Sequence, residues 1–275
     1  MQSPLSPADF SYSLIADIRD DQRWSTWNEV EKGAHGPHPR PDWVVTERGA
    51  IDTELGVLKT GKEADVFLIE RAVPDRPDRS SVLAAKRYRS SEHRQFHRDA
   101  GYTEGRRVRR SRDARAMAKG TAYGRAAAAG VWAQHEFAAL STLWSAGVPV
   151  PYPVQIDGTE ILMEYIEVDG GAAPRLAQMR PPRETLLSYF DQLKEAMSVL
   201  ARRGMAHGDL SPYNILAQGE RLVIIDLPQV IDIVGNPAGV DFLLRDCRNV
   251  CSWFTSRGLE VDPEELLSEL LAQAW

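Results

Sequence analysis

Between Trp43 and Tyr88, apolar and polar residues alternate in short runs, and a period of two predicts strands. The runs are Trp43 to Thr46, Gly56 to Lys59, Val66 to Glu70 and Val82 to Tyr88, separated by turn formers such as Pro74-Asp-Arg-Pro77. From Arg112 to Ala146 the period lengthens. Val131, Phe137, Leu140 and Leu143 recur at helical spacing in an alanine-rich stretch closed by Gly147 and Pro149. Val154 to Asp157 and Glu160 to Ile166 then read as paired strands across the turn Asp157-Gly-Thr159. Asp169-Gly-Gly-Ala-Ala-Pro174 is flexible enough to join two lobes. A helix follows from Arg183 to Arg203, with Leu186, Phe190, Leu193, Met197 and Leu200 on one face and Gly204 as its stop. A last helix is announced by Asp262 as N-cap, Pro263 at its first position and Glu264 and Glu265 in its first turn.

This order of elements predicts an α+β protein with two lobes. The small lobe is a mainly antiparallel sheet plus one long helix, and the large lobe is reduced and mainly helical. The expected division is an N-terminal tail or loosely docked arm over 1–40, a small lobe over 41–166 and a large lobe over 167–275. Residues 33–41, Gly-Ala-His-Gly-Pro-His-Pro-Arg-Pro, break any helix in the arm.

Composition narrows the class. With 275 residues, 43% hydrophobic and 26% charged, the chain can bury a substantial core. No apolar run approaches the roughly 20 residues of a membrane span, and the N-terminus lacks a signal pattern, so a cytoplasmic location is expected. The two cysteines, Cys247 and Cys251, form neither a disulfide framework nor a complete zinc site and read as buried thiols. The net charge of −6 argues against a general nucleic-acid binder. A local basic stripe qualifies this. From Lys86 to Arg125, over the insertion at about 89–130, lie Arg87, Arg89, Arg94, Arg98, Arg106, Arg107, Arg109, Arg110, Arg112, Arg115 and Lys119, opposed only by Glu92, Asp99, Glu104 and Asp113, which suits a solvated face, an acidic partner or RNA.

Candidate chemistry is densest at His207-Gly-Asp-Leu-Ser-Pro-Tyr-Asn214, followed by Asp226 at the end of the run Leu222-Val-Ile-Ile225. Phosphoryl transfer needs an acidic group beside the attacking hydroxyl and hard oxygen ligands for Mg²⁺. Asp209 would accept or orient the hydroxyl proton, Asn214 and Asp226 would bind metal, and His207 reads as scaffold. In the small lobe, Thr60-Gly-Lys62 lies between two strands, where backbone N–H groups and the Thr60 and Lys62 side chains can meet phosphate. Lys86 sits in an apolar strand and needs a partner, for which Glu136 on the following helix is the natural choice.

Together Thr60-Gly-Lys-Glu-Ala-Asp-Val-Phe67, Lys86, Trp132-Ala-Gln-His-Glu-Phe137, Met163-Glu-Tyr-Ile166, the 207–216 segment, Asp226-Leu-Pro-Gln and Asp241 to Asn249 resemble the RIO family of atypical serine/threonine protein kinases. The likeness spans about 43–255 and is to the branch without an N-terminal winged helix. It implies a kinase fold with ATP and Mg²⁺ (or Mn²⁺) between the lobes. It further implies that Lys86 contacts phosphates, that Glu164 and Ile166 hold adenine through their backbones beside Met163, that Asp209 is catalytic, and that Asn214 and Asp226 bind metal. Asp226 acquires a second implied role, as a transient phosphoacceptor in an ATPase cycle. The 89–130 segment corresponds to the family's loop insertion, and the implied acceptor is a protein substrate or the chain itself, with a ribosomal or RNA partner by analogy.

The phenylalanine and glycine that follow the metal-site aspartate in most kinases are replaced here by Leu227 and Pro228, and about 50 residues remain after Asp226. A full peptide-docking subdomain does not fit in that length. Two other readings share the motif. One is a small-molecule kinase of the aminoglycoside or choline phosphotransferase type, and the other is a nucleotide-gated module that binds RNA or a ribosomal partner.

Overall fold

The computed structural model describes residues 18–89, 122–227 and 230–274, with the backbone alone for 122–127. The arginines expected to form the basic stripe from 94 to 115, and the first turns of the helix expected from Arg112, lie outside the described residues. Four strands open the chain: β1 (Gln22–Trp24), β2 (Ile51–Thr60), β3 (Ala64–Val73) and β4 (Arg76–Tyr88). Helix α1 (Ala122–Ser145) precedes β5 (Pro153–Asp157) and β6 (Glu160–Glu164), and the six strands form one antiparallel sheet in the order β1-β2-β3-β4-β6-β5.

The pleat gives this sheet two faces. On one, Ile69, Leu83, Ala85 and Leu162 pack against Trp27 of the arm and Val44 just beyond it. On the other, Ala64, Tyr88 and Ile161 pack against Ala133, Phe137 and Leu140 of α1. Lys86 stands opposite Ile161 in the ladder and therefore shares this second face.

Two expectations need correction. Trp43 to Thr46 forms no strand; Val44 and Val45 are buried, and their apolarity serves packing against the sheet rather than pairing. Nor is the arm loosely docked over its described part. β1 pairs with β2, Gln155 Nε2 donates to Thr26 Oγ1 at 2.9 Å, and Tyr152 Oη donates to the Pro37 carbonyl at 2.9 Å. A Cβ on Gly36 would fall 1.9 Å from the Pro153 carbonyl oxygen, so only glycine allows this approach. Beneath the arm, Arg71 is fully buried and donates bidentately to Asp52 at 2.6 and 2.9 Å and to Gln155 at 2.8 Å.

The segment between the lobes is a small hairpin, β7 (Glu167–Val168) with β8 (Gly171–Ala172), followed by a 3-10 turn at Leu176–Gln178. Helix α2 (Arg183–Arg202) buries Leu186, Leu193, Met197 and Leu200, as its pattern requires, and leaves Phe190 partly covered. β9 (Met205–Ala206) leads into the 207–214 loop, and the hairpin β10 (Ile215–Gln218) with β11 (Arg221–Ile224) follows. β12 (Ile231–Asp232) returns to pair with β9, and α3 (Gly239–Thr255) and α4 (Pro263–Leu271) complete the lobe. Asp262 caps α4 by accepting from Glu265 N at 2.8 Å. Cys247 and Cys251 are buried, unbonded thiols on α3, and burial pushes them up to about 12 and about 11. Among the described residues no helix is long and apolar enough to cross a membrane.

Removing one member of a buried ion pair leaves the other uncompensated, which costs about 3–5 kcal/mol. Asp52→Ala, which strands the buried Arg71, is therefore expected to lower the free energy of urea unfolding by about 3 kcal/mol or more. A loss below about 1 kcal/mol would show that the Arg71 network does not anchor the arm.

Candidate active site

The site is built on Glu136, an α1 side chain only 2% exposed. Its Oε1 accepts from Lys86 Nζ at 2.6 Å and from Leu227 N at 3.3 Å, and its Oε2 accepts from Tyr88 Oη. Lys86 also donates to Asp226 Oδ1 at 2.9 Å. One carboxylate thus ties the sheet, the long helix and the start of the 226–227 segment together. The pairing expected for Lys86 and Glu136 is present, and Asp226 joins it.

Burial alone would lower the Lys86 pKa, but Glu136 and Asp226 more than offset it, and the ammonium is held above its ordinary value. Burial would likewise raise Asp226, but the nearby Lys86 outweighs it and holds the carboxyl below its ordinary value. Asp226 is thus ionised and ready to ligate a cation. Its φ of 67° lies in the left-handed region, a strained conformation for a non-glycine residue.

The 207–214 loop is held from three sides. His207, 1% exposed, bonds the Ile225 carbonyl through Nε2 at 3.2 Å and accepts from Asp209 N through Nδ1 at 3.3 Å. Burial lowers its pKa, so it stays neutral as a scaffold. Ile225 N donates to the Asn214 carbonyl at 2.9 Å, which keeps Asn214 beside Asp226. Asn214 Nδ2 donates to the Asp209 carbonyl at 3.0 Å, leaving its side-chain oxygen as the atom able to bind a cation. The Asp209 carboxylate itself is exposed.

From below, α3 grips the same loop. Asp246 accepts from Gly208 N at 2.8 Å and Leu210 N at 2.7 Å, Arg245 donates to the Gly208 carbonyl, and Asn249 Nδ2 donates to the Leu210 carbonyl at 3.0 Å. The position of Asp246 in the sequence signals this role. It interrupts the apolar face formed by Leu243, Cys247, Val250 and Phe254, where an acidic residue needs an internal partner.

Above the cleft, Gly61 N donates to the Ala64 carbonyl at 3.1 Å, and a Cβ on Gly61 would meet that oxygen at 2.7 Å. Gly61 therefore serves the tight turn between β2 and β3. Lys62 is exposed at the turn. Two residues missed in the sequence, Lys59 near the end of β2 and Glu63 in the turn that follows, carry charges that bear on Asp226 and Lys86. Met163 lies opposite Ala84 in the ladder, and Val66 opposite Lys86, forming an apolar ceiling beside the ion pair. Beyond Met163, Glu164 N donates to the Tyr152 carbonyl and the Ile166 carbonyl accepts from Ala173 N, both at 2.9 Å.

The donor set suits Mg²⁺. Asn214 and Asp226 offer hard oxygens, and among the described residues no three His, Cys, Asp or Glu side chains form a complete cage. Mg²⁺ commonly takes one or two protein oxygens and completes its shell with phosphate and water.

Burial raises the Asp246 carboxyl from 3.8 to about 7, although its two backbone donors favour the ion. Because the folded-state value is the higher one, ionised Asp246 costs stability. That cost is absent below about pH 4, grows up to about pH 7 and is constant above it. Loop order runs the opposite way, since only the carboxylate accepts both N–H groups. The kcat of any reaction that depends on the 207–214 loop is expected to fall as pH drops through about 7, and Asp246→Asn to be at least about 10-fold slower without that limb. The stability of wild type relative to Asp246→Asn should rise, by up to about 4 kcal/mol, between pH 7 and 4. A flat difference across that range would contradict the assignment.

The RIO domain family matches residues 76–266. The chain is 35% identical over 224 residues to the RIO-type serine/threonine-protein kinase Rio1 of Haloferax volcanii, covering 82% of this chain and 71% of that protein. It is 33% identical over 223 residues to the serine/threonine-protein kinase rio1 of Dictyostelium discoideum, covering 78% of this chain but 35% of that longer protein. The solved Rio2 kinase-ADP/Mg²⁺-phosphoaspartate complex from Chaetomium thermophilum aligns with a TM-score of 0.54 at 22% identity, covering 80% of this chain and 62% of that one, a likeness of fold. The extent of the domain match, together with the haloarchaeal identity, means that this chain belongs to the RIO family of serine/threonine protein kinases.

Proposed function

We propose that this protein moves the γ-phosphoryl group of Mg²⁺-ATP to a hydroxyl acceptor on a protein or on itself, with Asp226 as a second, transient acceptor. The observation that carries the reading is the convergence of Lys86, Glu136, Asp226 and the Asn214 loop at one point between the lobes. Lys86, fixed by Glu136, orients the phosphates. Asn214 and Asp226 would hold the metal, which when bound would supply positive charge to the phosphate oxygens; Mg²⁺ is the natural ion, and Mn²⁺ has the same preference for oxygen. Asp209 accepts the acceptor's proton as its oxygen bonds to phosphorus and the bond to the ADP oxygen breaks.

Adenine sits against Met163 in this reading. The Glu164 N–H and the Ile166 carbonyl already have backbone partners, so the Glu164 carbonyl and the Ile166 N–H are the groups assigned to the base. The phosphate-covering turn is 60–62. The lobes divide near 166, with the arm belonging to the small lobe. A cytoplasmic location fits the two free thiols. The arginine-rich 89–130 segment suits a polyanion such as ribosomal RNA.

An ATPase cycle through Asp226 has a specific motive. The related Rio2 kinase of Chaetomium thermophilum is described as a phosphoaspartate complex, and Asp226 here is ionised and strained. Incubation with γ-labelled ATP and Mg²⁺ tests both outcomes. Asp209→Asn is expected to reduce transfer by about 100-fold or more while ATP still binds; undiminished transfer would reject its role. Label that hydroxylamine removes, and that Asp226→Asn abolishes, would mark the acyl phosphate. Acid-stable label alone would restrict the protein to hydroxyl acceptors.

A further inference from the structure

Lys59 owes its position to an irregularity in β2. Val57 pairs with Phe67, and the next pair is Lys59 with Val66, so the register slips by one residue at Leu58. Without that bulge Leu58 would stand opposite Val66; with it, Lys59 takes the place. Residues directly opposite in an antiparallel ladder share a face. The row Lys59, Val66, Lys86, Ile161 therefore puts Lys59 on the cleft side of the sheet, two strands, or about 10 Å, from Lys86.

Arg175 comes from the other lobe. It follows the β7-β8 hairpin, bridges to Leu216 of β10, and its backbone N donates to Gln178 Oε1 at 3.1 Å. Its guanidinium donates through Nη1 to the Tyr213 carbonyl, one residue before Asn214. Among the described residues the remaining N–H groups of that fork are left for an anion.

The ladder row sets Lys59 on the cleft side of the small lobe, and the Tyr213 contact sets Arg175 beside Asn214 in the large lobe, so the two cations approach the phosphate site from opposite lobes; partial desolvation and then the Arg175 charge hold the Lys59 pKa below its ordinary value. Among the described residues neither makes a salt bridge, although Arg23, Arg71, Arg79, Arg87 and Arg89 of the small lobe all do. Two cations that repel each other across a cleft are stabilised by an anion placed between them.

We propose that Lys59 and Arg175 form an inter-lobe clamp for the polyphosphate of the bound nucleotide, in addition to the contact supplied by Lys86. This rests on the cleft being the ATP site. The clamp draws the lobes together when the anion enters and favours nucleotides in proportion to their phosphate charge. Both residues are positioning groups for the phosphates and take no part in bond making.

The test is calorimetric titration of the full chain with adenosine, ADP and ATP in Mg²⁺, at low and moderate salt. Lys59→Ala and Arg175→Ala are each expected to raise the ATP Kd by about fivefold or more, ADP by less, and to leave adenosine within about twofold. Lys59→Arg, which keeps the charge, is expected to stay within about threefold of wild type for ATP. An ATP Kd that the alanine variants leave unchanged overturns the clamp. Equal weakening of ATP and adenosine also overturns it, since that marks a merely structural role. Absence of ATP binding by the wild-type chain would instead overturn the ATP-site reading on which the clamp rests.

Discussion

Everything at the centre of this protein depends on one buried carboxylate. Glu136 cannot be left ionised and dry without partners, and Lys86, Tyr88 and the Leu227 amide supply them from two other parts of the chain. The requirement works in both directions. Lys86 needs an anion to be tolerated within an apolar strand, and Asp226 gains its low pKa from the same ammonium. The small-lobe sheet, the long helix and the 226–227 segment are therefore brought into register by charge compensation, while apolar packing on the α1 face supplies the bulk of the driving force.

Around that centre the chemistry is carried by short loops held by backbone contacts rather than by side-chain stacking. The 207–214 loop is fixed by His207, by the Ile225 amide and by three α3 side chains, so its exposed Asp209 stands on a rigid base. Asp226 is fixed at a strained φ by neighbours on both lobes. A preorganised site of this kind lowers the reorganisation needed when charge moves in the transition state. In the large lobe α3 serves as both core helix and clamp on the loop.

Much of this was legible in the sequence because the signals were local. A lysine inside an apolar strand demands a partner, the D-x-x-x-x-N spacing needs no tertiary knowledge, and the Asp262 cap follows from side-chain chemistry alone. The arm was not legible. Trp27 and Val44 find their burial against residues more than 100 positions away, such as Tyr152 and Val154, and nothing local distinguishes such a segment from a tail. Trp43 to Thr46 has the composition of a strand without a neighbour to pair with. Lys59 was hidden for another reason: a one-residue bulge reverses which face a side chain occupies, and periodicity cannot detect it.

The central claim is that Lys86, Glu136, Asp226 and Asn214 form a single ATP and metal site between the lobes. A crystal structure of the chain with Mg²⁺ and a non-hydrolysable ATP analogue tests it most directly. The account predicts metal on the Asn214 side-chain oxygen and the Asp226 carboxylate, Lys86 on the phosphates with Glu136 still bonded to it, and adenine beside Met163. A nucleotide seated elsewhere, or a metal that engages neither Asn214 nor Asp226, would contradict it.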